Sequence, residues 1–292
     1  MRKMTKLMLA MVLPTAVLAG GNAFAGTKIT QFTYENEFAF TAFTGTAGPG
    51  AVAPSTTNTN PTFSIGGNPA NPVFGSATTL QWGVSTGSGQ SKFRLSDSTG
   101  VPTDGKVTGI ETVDDGVFVP DVSLFHNNFI ITGASLTSAT LTGVLLLEAL
   151  NPPTGDTLLA PGNFLIRFLE TPNAGTGGVC ADGAARPCPD IFVLDGANSS
   201  PLTNVLLGTI DGFSYLLDLN IAGLQNVGPE SCAAVGQAAG CLGFVTLENQ
   251  SNQLDLSFQI RTVENNVPEP GILALLGLGL AGLGFGQSRR RK

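Results

Sequence analysis

The chain has 292 residues, of which 38 are Gly, 18 are Pro and only 12% are charged; that length allows one large or two ordinary domains, and that composition favours turns joining short strands. Its formal charge is −7, but seven of its 14 bases sit at the ends (Arg2, Lys3, Lys6, Arg289, Arg290, Arg291 and Lys292), and without those seven the formal charge is −14. Such a body repels phosphate backbones, which argues against nucleic acid as a partner.

Residues 1–25 begin with bases, continue through an apolar run from Leu7 to Leu18 and end at Ala23-Phe24-Ala25. A basic start, a short apolar stretch and a small-residue cleavage site make a secretory signal peptide. The body, residues 26–264, is therefore expected to be exported.

Strand signals dominate that body. In chain order the candidates are Lys28 to Phe43, Thr79 to Ser85, Lys92 to Leu95, Lys106 to Val119, Val122 to Ile131 and Leu136 to Leu147. They continue with Asn163 to Leu169, Ile191 to Leu194, Leu202 to Ile210, Phe213 to Ile221, Leu242 to Leu247 and Gln253 to Thr262. The last shows the pattern well: Leu254, Leu256, Phe258 and Ile260 alternate with Asp255, Ser257, Gln259 and Arg261, as in a strand with one face in a core. Many short alternating strands predict an all-β fold, a single β-sandwich-like domain with long loops. The stretch Thr44 to Pro72 is dense in Pro, Gly, Thr and Asn and poor in large apolar residues, so it is expected to be a surface excursion.

The four cysteines form two close pairs, Cys180 with Cys188 and Cys232 with Cys241. In an exported chain an even, locally paired set reads first as disulfides. Zinc is the alternative, but neither pair has the two- to four-residue gap of common zinc sites and the one histidine, His126, is distant in sequence. No metal or other cofactor is expected.

Catalysis finds little support. A Ser-His-Asp or Cys-His device would have to use His126, the one histidine of the chain. Asp114, Asp115, Glu148, Asp156 and Glu170 are available as carboxylates for glycoside chemistry, but as solvated turn residues they need no such role. Asp104-Gly105 and Asp114-Asp115-Gly116 lack the alternating oxygen ligands of a calcium loop. His126, before two Asn and an apolar run, reads as a hydrogen-bonded structural residue near a strand end. No catalytic residue is assigned, and the chain is expected not to be an enzyme.

The last segment, residues 265–292, carries the most specific signal. Gly271 to Gly286 is 16 residues without a charge, and as a helix it would reach about 24 Å, a little short of a ~30 Å hydrocarbon core unless flanking bases snorkel. Arg289, Arg290, Arg291 and Lys292 would hold the cytoplasmic side of such a membrane helix. Pro268 and Pro270 separate it from the body. Val267-Pro268-Glu269-Pro270, the Gly/Leu-rich run and the basic end together resemble the PEP-CTERM sorting signal of exported Gram-negative proteins. That resemblance implies recognition and cleavage by an exosortase, a transient anchor in the inner membrane, and release to the cell surface or an exopolysaccharide matrix.

Body segments also resemble the THxN family of PEP-CTERM proteins. They are His126-Asn127-Asn128, Phe168-Leu169-Glu170-Thr171-Pro172-Asn173, Cys188-Pro189-Asp190-Ile191-Phe192-Val193 and Cys241-Leu242-Gly243-Phe244-Val245-Thr246. Where that family's name calls for Thr before His, this chain has Phe125. The family implies no defined activity. The expectation is a structural or interaction protein of the surface or matrix, with exosortase and exopolysaccharide as candidate partners; a carbohydrate- or calcium-binding module and a matrix-acting glycosidase are the alternatives. One Trp and two Tyr make sugar-stacking surfaces scarce.

Overall fold

Alternation of apolar and polar side chains becomes a set of long antiparallel ladders in the computed structural model, which describes residues 26–54, 77–96, 105–171, 180, 188–195, 202–265 and 277–280. The strands are β1 (Gln31–Gly45), β2 (Ala53–Pro54), β3 (Thr79–Trp82), β4 (Val84–Ser85), β5 (Ser91–Ser96), β6 (Lys106–Thr112) and β7 (Val119–Asn128). After them come β8 (Ile131–Thr132), β9 (Leu136–Asn151), β10 (Thr157–Leu169), β11 (Asp190–Asp195), β12 (Val205–Ile210), β13 (Phe213–Ala222) and β14 (Gln225–Asn226). A short helix, α1 (Pro229–Ala234), precedes β15 (Leu242–Thr246) and β16 (Gln250–Glu264). Residues Gly26–Asn265 form one compact unit.

Two seven-stranded sheets result, one ordered β14-β15-β11-β10-β9-β1-β6 and the other β12-β13-β16-β7-β5-β3-β2, with β4 and β8 paired separately. Their facing side chains share cores. Phe38, Leu141, Phe168 and Phe192 of the first sheet pack with Leu80, Trp82, Phe93 and Leu254 of the second. Phe32 and Leu147 meet Tyr215, Phe258 and Ile260 in a second cluster. Each fully buried side chain of this size contributes about 1.5–3 kcal/mol, so these two clusters are the main source of stability.

The sheets also curl toward each other along one side. In β1 the register shifts between Phe40 and Ala42, and Phe40 bridges Ala77, just before β3 of the other sheet. Beyond β6, the Asp114 amide donates to the Ile260 carbonyl at 3.0 Å, and the Ile260 amide donates to Glu111 Oε1 at 2.8 Å. Bulges bend a strand and increase its twist, which is how one strand can serve both layers.

The all-β expectation holds, with α1 an unforeseen helix. The predicted strand Lys106 to Val119 is broken, because Asp114 (φ 62°) and Gly116 (φ 74°) take left-handed conformations and turn the chain between β6 and β7. The strand expected from Asn163 begins at Thr157; Pro161 and Gly162 sit within it, paired with Val144 and Gly143. Of the expected Thr44 to Pro72 excursion, residues 55–72 lie outside the described residues. So do the signal peptide, the sorting residues Val267, Pro268, Glu269 and Pro270, and the basic end Arg289, Arg290, Arg291 and Lys292. Within the tail, 277–280 is helical, and among the described residues no helix is long and apolar enough to cross a membrane.

Candidate functional site

Five strands from both sheets bring polar side chains together at one end of the larger core. β3 ends in Trp82, and β7 carries His126 and Asn128. On the facing sheet β10 is followed by Glu170 and Thr171, β11 begins with Asp190, and β15 ends in Thr246, with Glu248 just beyond. Asp190 and Thr246 are direct cross-strand partners. That pairing needs a close approach of β15 to β11, and Gly243 permits it: a Cβ there would sit 2.0 Å from the Phe192 carbonyl oxygen.

Carboxylate oxygens of Glu170, Asp190 and Glu248 lie within 4.8 Å of one another. Asp190 and His126 are fully buried, while Glu170 and Glu248 are half-buried and form the outer side. His126 Nε2 stands 4.0 Å from Asp190 Oδ2. Three of the four acids and bases are held by neighbours. The Trp82 indole N–H donates to Glu170 Oε2 at 2.9 Å. The Thr171 amide donates to Asp190 Oδ1 at 2.8 Å, leaving Oδ2 turned to the histidine without a hydrogen-bond partner. The Asn128 amide donates to the Thr246 carbonyl at 3.0 Å and supports Glu248.

His126 itself is positioned by rings rather than by hydrogen bonds. Its imidazole lies parallel to Trp82 with centroids 5.8 Å apart, and Phe93 and Phe168 meet it edge-on at 5.0 and 5.1 Å. Neither ring nitrogen has a hydrogen-bond partner. The expected hydrogen-bonded structural histidine is thus not what the fold builds: burial among aromatics removes the carbonyl and hydroxyl partners that a strand-end position normally offers.

Electrostatics follow from burial. Removal from water pushes the His126 pKa down to about 3, so its ring is neutral and its nitrogens can act as ligands. The Asp190 carboxyl is pushed well up, first by burial and then by the charges of Glu170 and Glu248. Glu248 is raised by burial, against the Asn128 hydrogen bond. Three mutually repelling acids around a neutral imidazole make a centre with affinity for positive charge.

Of the acids considered from the sequence, only Glu170 joins this cluster. Asp114 instead pairs with Lys28 at 2.5 Å and accepts from the Thr262 amide, tying the turn after β6 to β16. Asp190 and Glu248 were missed as site residues, since nothing in one sequence shows that β11 and β15 are neighbours. Both cysteine pairs are disulfides, Cys180–Cys188 and Cys232–Cys241. One ends two residues before Asp190, and the other ends next to β15, so each secures the approach to a site strand. All four segments that carry the THxN resemblance contribute a residue here: His126, Glu170, Asp190 and Thr246.

Comparison with known proteins finds the PEP-CTERM protein-sorting motif at residues 266–291. This motif implies an exported protein processed by an exosortase, and two disulfides fit a location outside the cytoplasm. No curated protein matches the chain.

Proposed function

We propose that the chain is a non-catalytic structural or interaction protein of the cell surface or exopolysaccharide matrix, carried there by a cleaved N-terminal signal and a transient C-terminal membrane anchor. The sorting motif at 266–291 carries this reading. The THxN family is the proposed affiliation of the body, supported by the convergence of its four quoted segments on one end of the core.

The alternatives fare less well against the geometry. The one Trp and both Tyr, namely Trp82, Tyr34 and Tyr215, are buried, so none offers a face to a sugar ring. Asp190 is buried too deeply for a glycosidic bond to reach it. Cation binding, by contrast, is favoured by the three-acid cluster.

Deleting residues 268–292 tests the sorting reading. The truncated body should move from the membrane fraction to the soluble exported fraction with its melting temperature unchanged. A body that stays membrane-bound after truncation sinks the anchor.

A further inference from the structure

We infer that His126, Asp190, Glu170 and Glu248 form a binding site for one first-row transition-metal dication, of the Zn2+ or Mn2+ kind, enclosed between the two sheets. The inference stands independently of the sorting reading, because every residue it uses lies in the body.

Two observations carry it. The first is the acid cluster, with one oxygen from each carboxylate inside a 4.8 Å sphere of separation. Two ligands at ~2.1 Å from a metal stand about 3.4 Å apart at the tetrahedral angle and about 4.2 Å apart when opposite each other, so small side-chain rotations bring these atoms into range. The second is independent of acidity. His126 is fully buried, has no hydrogen-bond partner on either nitrogen, and aims Nε2 at an Asp190 oxygen that also lacks one. An unmade hydrogen bond on a buried polar group costs about 1–3 kcal/mol, and a dication between Nε2 and Oδ2 satisfies both atoms at once.

The surroundings are those of a metal site. Ligand carboxylates are commonly held by second hydrogen bonds that fix their orientation. Here Trp82 Nε1–H holds Glu170, the Thr171 amide holds the far oxygen of Asp190, and Asn128 supports Glu248. Stacking on Trp82 and edge contacts from Phe93 and Phe168 fix the imidazole plane. A cation also answers the repulsion among the three acids, since its charge stabilises their ionised forms. Glu170 and Glu248 are half-buried and form the more exposed side of the cluster.

The donor set selects the ion. Calcium takes six to eight oxygens in a loose shell, and magnesium keeps most of its waters. One neutral imidazole with carboxylates suits Mn2+, Fe2+ or Zn2+ instead. The disulfide-bonded cysteines offer no thiolate. In this position the ion would tie β7 of one sheet to β10, β11 and β15 of the other, a cross-link rather than a reaction centre.

The test uses the full chain, purified with a tag that contains no histidine, stripped with a chelator and titrated separately with Zn2+, Mn2+ and Ca2+. One Zn2+ or Mn2+ per chain should bind with a Kd in the micromolar range or tighter and raise the melting temperature, and Ca2+ should bind at least tenfold more weakly. The chain has one histidine, so a nitrogen coupling in pulsed EPR of bound Mn2+ reports His126 alone. His126→Gln should abolish that coupling. Glu248→Gln, an isosteric change at a half-buried position, should weaken binding at least tenfold while leaving the melting temperature of the metal-free protein unchanged. The inference is overturned by no saturable binding, by binding unchanged in Glu248→Gln, or by an ion that shows no nitrogen coupling in the wild type.

Discussion

Two buried carboxyls far from the acid cluster give the body an unusual dependence on pH. Asp121 on β7 accepts from its neighbour's amide, Val122 N, at 2.8 Å and from Asn36 Nδ2 at 2.6 Å. Glu111 on β6 accepts from the Ile260 amide at 2.8 Å, one of the stitches between the sheets. Burial pushes both up to about 7, the hydrogen bonds only partly opposing it. Tyr34 lies near both charges and is itself raised by burial and by them; Asp115 adds a smaller push on Glu111. In the unfolded chain the two carboxyls return to about 4. Between pH ~4 and ~7 the folded state therefore binds more protons than the unfolded state, and stability falls as pH rises through that window. At ~1.36 kcal/mol per pKa unit the loss is at most about 3.5–4.5 kcal/mol per group, and allowing for water entry we take about half of that. Two groups then give about 4 kcal/mol over the whole window, of which roughly two-thirds, about 2–3 kcal/mol, falls between pH 5 and pH 8; at 2–4 °C per kcal/mol for a body of this size these two groups should lower the melting temperature by about 7 °C over that range. Asp218 acts in the opposite sense: the Arg261 hydrogen bonds hold its pKa down to about 2, so its contribution is present above pH ~4 and lost as pH falls toward 2. Stability should peak near pH 4–5. Differential scanning calorimetry across pH 3 to 8.5 measures this. Asp121→Asn/Glu111→Gln keeps both acceptors, since Asn36 can turn its unpartnered oxygen toward the new amide, and should make the change in melting temperature above pH 5 less negative than in the wild type, the buried Asp190 and His126 and the half-buried Glu248 still contributing their own dependence. A wild-type melting temperature that is flat or rises from pH 5 to 8, or a double variant with the same slope as wild type, refutes the reasoning.

Replacing Cys232 and Cys241 by Ala opens a loop with a sequence separation of 9 and should cost about 2.5 kcal/mol in the chain-entropy account, seen as a lower melting temperature; an unchanged value would show that α1 packing alone holds the loop. In a screen of esters, peptides and matrix polysaccharides the wild-type protein should show no turnover, because His126, the one imidazole, is buried and cannot exchange protons near neutral pH. Turnover that disappears in His126→Gln at unchanged melting temperature would make the protein an enzyme.

The fold class was legible because its signal is local. Period-two alternation in β16 survives in the structure as one face in the core and one more exposed, and the positions named from the sequence, Leu254, Leu256, Phe258 and Ile260, are all buried. Boundaries failed where local chemistry carries two meanings. Asp114-Asp115-Gly116 is a turn signal inside an apparently continuous strand, and Pro161-Gly162 is a break signal inside a real one. Pro161 is tolerated because it pairs with Val144 within a 13-residue strand whose other ladder bonds hold the register.

The polar centre was illegible for a different reason: it exists only through order of strands in space. His126 and Asp190 are 4.0 Å apart but belong to different sheets, and no spacing rule relates β7 to β11. What the sequence does carry is a set of short segments, around His126, Glu170, Asp190 and Thr246, each ending or beginning a strand. Strand ends on one side of two facing sheets converge, as loops at one end of an all-β fold generally do. The histidine then becomes informative through what it lacks. A buried ring with two unmet nitrogens costs stability unless something meets them, and in a body that surrounds it with phenyl and indole rings the neighbouring carboxylates cannot do so without a shared proton or a cation. A shared proton serves one pair of atoms; a dication serves His126 and all three acids, and that difference is what the nitrogen coupling and the Glu248→Gln titration separate.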